Sequence, residues 1–113
     1  MLGHRWVAAS LLALGIGAAA IAPAHAAPPP ALAACASCHD LTSAKKKIVG
    51  PPLFGVYNRK PSITGVPFKT WNKASLDKWL SGPSKIKPGT AMTFSVPDPK
   101  ARAQAIQALQ KLK

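Results

Sequence analysis

Cys35-Ala36-Ser37-Cys38-His39 is the stretch on which the reading of this chain turns. Two thiols stand three positions apart and an imidazole follows at once, the C-x-x-C-H spacing by which c-type haem is attached. At a helix end, each thiol can add to one vinyl group of a single porphyrin, and the adjacent imidazole then lies under the iron. Three other uses of the pair compete with this one. A thioredoxin-like dithiol wants a strand before the motif and a βαβ pattern around it, and neither is visible. A zinc site usually wants four ligands, and the other histidines, His4 and His25, lie in an amino-terminal leader. A disulfide between Cys35 and Cys38 would close a very small loop and so stabilise little. Covalent haem, one per chain, is the reading these weights favour.

An iron held by His39 needs a second axial ligand or an open face. The chain has only two methionines, Met1 and Met92, and the first belongs to the leader. Met92 closes the run Pro88-Gly89-Thr90-Ala91-Met92, a loop rather than the helix stripe where a core methionine packs. A soft thioether opposite an imidazole favours ferrous iron and suits a reversible one-electron carrier. The expected metal ligands are therefore His39 and Met92. The competing reading is a gap-filling methionine beside an open or lysine-ligated iron.

Outward from these residues, the chain divides into a leader, a short lead-in and one domain. His4 and Arg5 precede an apolar run, Val7 to Ile21, and Ala24-His25-Ala26 offers small residues where a signal peptidase cuts. The apolar stretch falls short of the roughly 20 residues that span a bilayer, so residues 1–26 are read as a cleaved secretory signal and the protein as periplasmic. Retention as an anchor is the alternative. Residues 27–30 form a Pro-rich lead-in and 31–113 the domain. A domain this small buries a marginal core unless a cofactor or cross-link reinforces it.

Ala31 to Cys38 has good helix formers. Gly50-Pro51-Pro52 breaks regular structure, and the run to Pro67 reads as ordered loop around Leu53, Val56 and Phe68. Asn72 to Ser81 is the clearest helix, with Leu76, Trp79 and Leu80 on one stripe, ended by Gly82-Pro83. A second loop is expected over Ser84 to Pro99, and a last helix from Asp98, burying Ile106, Leu109 and Leu112. The fold class is all-α: three to four short helices and long loops, unusual in so short a domain unless the loops wrap something.

In order and spacing these motifs resemble the class I cytochromes c, mitochondrial and bacterial short-chain forms in particular, over essentially all of Ala31 to Lys113. Gly50-Pro51-Pro52-Leu53-Phe54-Gly55 looks like the family's Gly-Pro-x-Leu-x-Gly loop, and Arg59-Lys60 follows where the family has Arg-Lys. Trp71, Trp79 and Pro83 keep the family's tryptophan-aromatic-proline spacing, and Pro88 to Met92 matches the ligand loop, with Phe94 two residues on.

The resemblance implies a cytochrome c fold wrapped around one haem c bound through Cys35 and Cys38. It further implies that the Pro51 carbonyl accepts the Nδ1 proton of His39, and that Arg59 and the Trp71 indole stabilise a haem propionate. Leu53, Leu76, Leu80, Phe94, Ile106 and Leu109 are expected to be cradling or core residues. Trp79 stands for the tyrosine usual near the methionine sulfur, so the phenol hydrogen bond to that sulfur is expected to be missing. Ala27 and Ala31 replace a glycine and an aromatic that pack on the last helix, which is expected to weaken that contact. Ala91 removes a lysine beside the haem edge.

Fifteen basic residues face three acidic ones, a formal charge of +12. Such a field steers a protein toward acidic partners or anionic lipid and weakens with salt, and export argues against nucleic acid. The expected role is a diffusible monomeric electron carrier rather than an enzyme, docking on an acidic oxidase, quinol-oxidising complex or periplasmic dehydrogenase through Lys45, Lys46, Lys47, Lys85 and Lys87. Weak association with an anionic membrane surface is a further expectation. The alternatives are a dedicated cytochrome subunit of a periplasmic dehydrogenase, a haem sensor or peroxidase, for which no second histidine follows residue 39, and a thiol-disulfide oxidoreductase.

Overall fold

Asn72 begins the best-defined helix by closing both ends of a capping box. Its side chain accepts from the Ser75 N–H at 2.9 Å, and the Ser75 hydroxyl accepts from the Asn72 N–H at 2.8 Å. Two of the four donors that a helix start leaves without partners are thereby satisfied, and helix α1 runs Lys73–Ser81. Its buried stripe is Leu76, Trp79 and Leu80, as the spacing predicts. In this computed structural model the described residues are 27–113 with Gly3, Gly15 and Gly17; the signal read over 1–26 otherwise lies outside them.

Four helical segments make up the fold in the order 3-10 helix Pro30–Ser37, α1, α2 Pro83–Ile86 and α3 Pro99–Lys111. Among the described residues there is no strand, and no helix is long and apolar enough to cross a membrane. The first segment begins a residue earlier than the composition suggests, because a proline fits the first helical position, where no N–H is needed. It is tight rather than α-helical, with no side-chain cap.

The second loop starts later than expected. Pro83 ends α1 and also opens α2, so the irregular run begins at Lys87, not Ser84. Asp98 caps α3, accepting from the Ala101 N–H at 3.0 Å.

Leu32, fully buried, joins Val56, Trp71, Leu76, Trp79, Leu80, Ala105, Ile106 and Leu109 in one core cluster. The 3-10 helix and α1 both lie against α3. Ala31 is exposed, so Leu32 supplies the apolar contact in place of the aromatic that the family resemblance leads one to expect. Of the two roles expected for Phe94, cradling or core, its 46% exposure removes the core one. The residue sits in the irregular run after Met92, outside the seam between α1 and α3 that buries Leu76, Leu80, Ile106 and Leu109.

The loops are held by backbone bonds. The Gly50 N–H returns to the Cys38 carbonyl at 2.8 Å, the Leu53 N–H to Asp40 at 2.9 Å, and the Gly55 N–H to Leu112 at 2.7 Å. Asn58 and Arg59 pair with Trp71 through bonds of 2.7 and 2.9 Å, closing the segment 60–70. These bonds bring the C-x-x-C-H box, the Gly-Pro loop and the end of α3 together.

Candidate cofactor site

His39 leaves the 3-10 helix with its N–H on the Cys35 carbonyl at 2.9 Å. Its ring Nδ1 lies 2.6 Å from the Pro51 carbonyl. A carbonyl can only accept, so Nδ1 carries the proton, and in the neutral ring the lone pair resides on Nε2, the form a metal binds. Gly50 makes this stance possible. A Cβ at that position would lie 2.7 Å from Nδ1 and 3.0 Å from Nε2 of the His39 ring. Only a residue without a side chain lets the backbone pass so close. The sequence names Gly50 as a chain breaker; the signal that would have found its second role is its place just before the carbonyl that orients the imidazole.

Both thiols are free, Cys35 half-buried and Cys38 exposed. Burial pushes the Cys35 thiol above its ordinary pKa. Thiol-disulfide enzymes lower the pKa of the attacking thiol, and burial works against that at Cys35. Among the described residues no three His, Cys, Asp or Glu side chains gather into a cluster.

Beside the box, Asp40 organises the following loop. Its Oδ2 accepts from the Lys46 N–H at 2.8 Å, and Oδ1 from the N–H and hydroxyl of Thr42 at 2.8 and 2.7 Å. The Lys46 and Thr42 amides hold its carboxyl below the usual carboxylate range, because they favour the ionised form. Lys45 takes a left-handed backbone, φ 52°, and its ammonium lies 5.9 Å from the Phe54 ring centre.

Met92 follows a turn of its own. Pro88 and Gly89 turn the chain, with the Thr90 N–H on the Lys87 carbonyl at 3.1 Å and Gly89 at φ +80°, a position a side chain would strain. The Met92 sulfur accepts from the Trp79 indole N–H at 3.2 Å. The expectation that this sulfur lacks the phenol's hydrogen bond is thus half right: the hydroxyl is gone, but the indole brings an N–H of its own to the same atom. Trp79 is buried on α1 and leans on Trp71, ring centres 5.7 Å apart; Trp71 in turn meets Phe68 at 5.6 Å.

Arg59, for which the resemblance implies a propionate role, is held here by backbone carbonyls. Its guanidinium donates to the Pro52 carbonyl at 2.7 Å and, more weakly, to Phe54 at 3.5 Å, bracing the segment that presents the Pro51 carbonyl. Lys87, expected on a docking face, donates to the Thr64 carbonyl at 2.6 Å. Arg102 and Asp77, which the sequence reading passes over, form an ion pair of 2.9 Å between α3 and α1. Their signal was faint: Asp77 is one of only three acidic residues in the chain.

Two thiols able to form thioethers, an imidazole with its free nitrogen fixed and an oriented thioether make a donor set that fits a covalently attached haem. Comparison with known proteins points the same way. The chain is 37% identical over 76 residues to cytochrome c2 iso-2 of Magnetospirillum fulvum, spanning 59% of this chain and 78% of that one. With cytochrome c2 iso-2 of Magnetospirillum molischianum it shares 35% over 89 residues, 70% of this chain and 91% of the relative. Among solved structures, cytochrome cH from Methylobacterium extorquens is similar at 34% identity and a TM-score of 0.59, covering 72% of this chain and 91% of that one. No family model matches the chain.

Proposed function

The chain belongs to the class I cytochromes c, and from that premise we propose that it is a small exported one-electron carrier with haem c attached through Cys35 and Cys38. His39 and Met92 would hold its iron. Haem, when bound, supplies a ferric/ferrous couple; the chain supplies attachment, ligands and a docking surface. The observation that carries this reading is the His39 to Pro51 bond at 2.6 Å, which presets the ligating tautomer beside two free thiols.

Each residue has a definable task. Pro51 makes the imidazole more basic by accepting its proton. Gly50 gives the ring room, and Arg59 braces the Pro51 segment while remaining the side chain proposed to meet a propionate. Trp71 buttresses Trp79, and Trp79 orients the Met92 sulfur. With both His39 and Met92 holding the iron, no place would be left on it for a substrate, which favours a carrier over a peroxidase or sensor.

The periplasm is the proposed compartment, on the strength of the leader pattern in residues 1–26, and the proposed partners are acidic redox proteins. All three carboxylates are occupied within the fold: Asp40 by loop amides, Asp77 by Arg102 and Asp98 by the start of α3. Most of the basic residues are therefore left uncompensated, and Lys46, Lys47 and Lys85 are exposed. This supports fast, weak, salt-sensitive docking.

The test is the oxidised spectrum of the exported protein and its Met92→Ala variant. The far-red charge-transfer band of a thioether on ferric iron should be present in the first and absent from the second. A band that survives Met92→Ala, or a wild type without one, would reject Met92 as the ligand.

A further inference from the structure

The segment that delivers Met92 has few bonds of its own. Between Thr90 and Ser95 the structure gives Met92 N–H to the Thr90 hydroxyl at 3.3 Å, Thr93 N–H to the Ala91 carbonyl at 3.1 Å and the Trp79 contact to sulfur. Both N–H bonds are local; beyond the packing of Met92 on the core and its contact with Trp79, the segment is held by where its ends are fixed.

The far end is fixed at Val96 and Pro97, and one side chain does most of it. Val96 donates to the Leu80 carbonyl on α1 at 2.7 Å. Arg102 on α3 places Nη1 between the carbonyls of Val96 at 3.1 Å and Pro97 at 2.9 Å, while its Nε donates to Asp77 on α1 at 2.9 Å. The Arg102 side chain is 13% exposed and that of Asp77 49%. The guanidinium thus joins α3, α1 and the ligand segment four residues beyond Met92, with charge-assisted bonds that are stronger than neutral ones.

We propose that Arg102 is a positioning residue for Met92, clamping the end of the ligand segment and setting how readily Met92 leaves the iron and admits an external ligand. The inference rests on Met92 ligation as proposed above. The two carbonyl bonds carry the effect; the ion pair to Asp77 mainly aims the guanidinium, since a half-exposed pair contributes little by itself.

Imidazole is the probe. It is added in excess to the exported ferric holoprotein and its entry timed by loss of the far-red thioether band, in wild type, Arg102→Gln, Arg102→Lys and Asp77→Asn. Urea unfolding of the same samples gives global stability. Arg102→Gln should speed entry about tenfold or more, the factor expected from losing charge-assisted bonds to two carbonyls. Arg102→Lys, a single ammonium in place of a planar fork, should fall between, and Asp77→Asn should stay within about twofold of wild type. Entry should rise by more than the change in unfolding accounts for.

An entry rate for Arg102→Gln equal to wild type would overturn the proposal, as would Asp77→Asn acting as strongly as the arginine variants. If Arg102→Gln does not fold, the order of Arg102→Lys against Asp77→Asn decides in the same way. A wild type without the band removes Met92 ligation itself, and the clamp with it; that failure is recognised before any variant is compared.

Discussion

The sulfur of Met92 receives the indole N–H of Trp79, and a donated hydrogen bond draws electron density from a thioether that is a weak acceptor to begin with. Ferric iron depends on that density more than ferrous iron does, so the bond favours the reduced state. Trp79→Phe keeps the ring and removes the donor. Its reduction potential should fall, on the order of 40 mV if the bond discriminates between the states by about 1 kcal/mol, with the far-red band retained. Potentiometric titration checks this, and an unchanged or raised potential would count against it. Gly50 invites an equally local test. The Cβ of Gly50→Ala would meet the His39 ring, so the ring must move and lengthen its bond to Pro51. Stability should drop by about 2 kcal/mol or more, read as a lower urea midpoint, and a variant as stable as wild type would show that the approach is not tight.

At the scale of the helices, caps decide where elements begin. Asn72→Ala removes one half of the capping box and should cost about 1 kcal/mol, a drop in Tm of roughly 4–8 °C for a domain of this size. Leu32→Ala, at the contact of the 3-10 helix with α3, should cost about 2–5 kcal/mol; thermal unfolding distinguishes the two. These same features explain what could be read from sequence. Asn72 and Asp98 are cap residues standing before apolar stripes, so α1 and α3 were legible to within a residue or two. Cys35, Cys38, His39 and Met92 stood out as candidates because cysteine, histidine and methionine occur nowhere else after residue 26. What could not be read depends on three-dimensional neighbours. Pro83 looks like a stop and is also a start. Phe94 reads equally as cradling or core, and only its placement outside the α1 and α3 seam sets the core role aside. Arg59 and Arg102 act on backbone carbonyls, which leave no mark in a side-chain pattern. The Trp79 contact with sulfur needed the actual placement of an indole whose spacing alone suggested only a missing hydroxyl.

For the molecule as a whole, charge and covalent chemistry set the behaviour. With +12 formal charge in the full chain and its three carboxylates engaged internally, the second-order rate with an acidic redox partner should fall about tenfold or more from low ionic strength to about 0.5 M. Stopped-flow mixing at several salt concentrations measures it, and a flat profile would mean that the basic surface serves solubility alone. The most direct test of the account is a mass spectrum of the peptide spanning Cys35 to His39, taken from protein exported by a host with haem-attachment machinery and washed with acidified acetone. The account predicts that peptide heavier by one haem, with neither cysteine open to alkylation. Haem that washes away, or a peptide at its bare mass with both thiols alkylated, would contradict it.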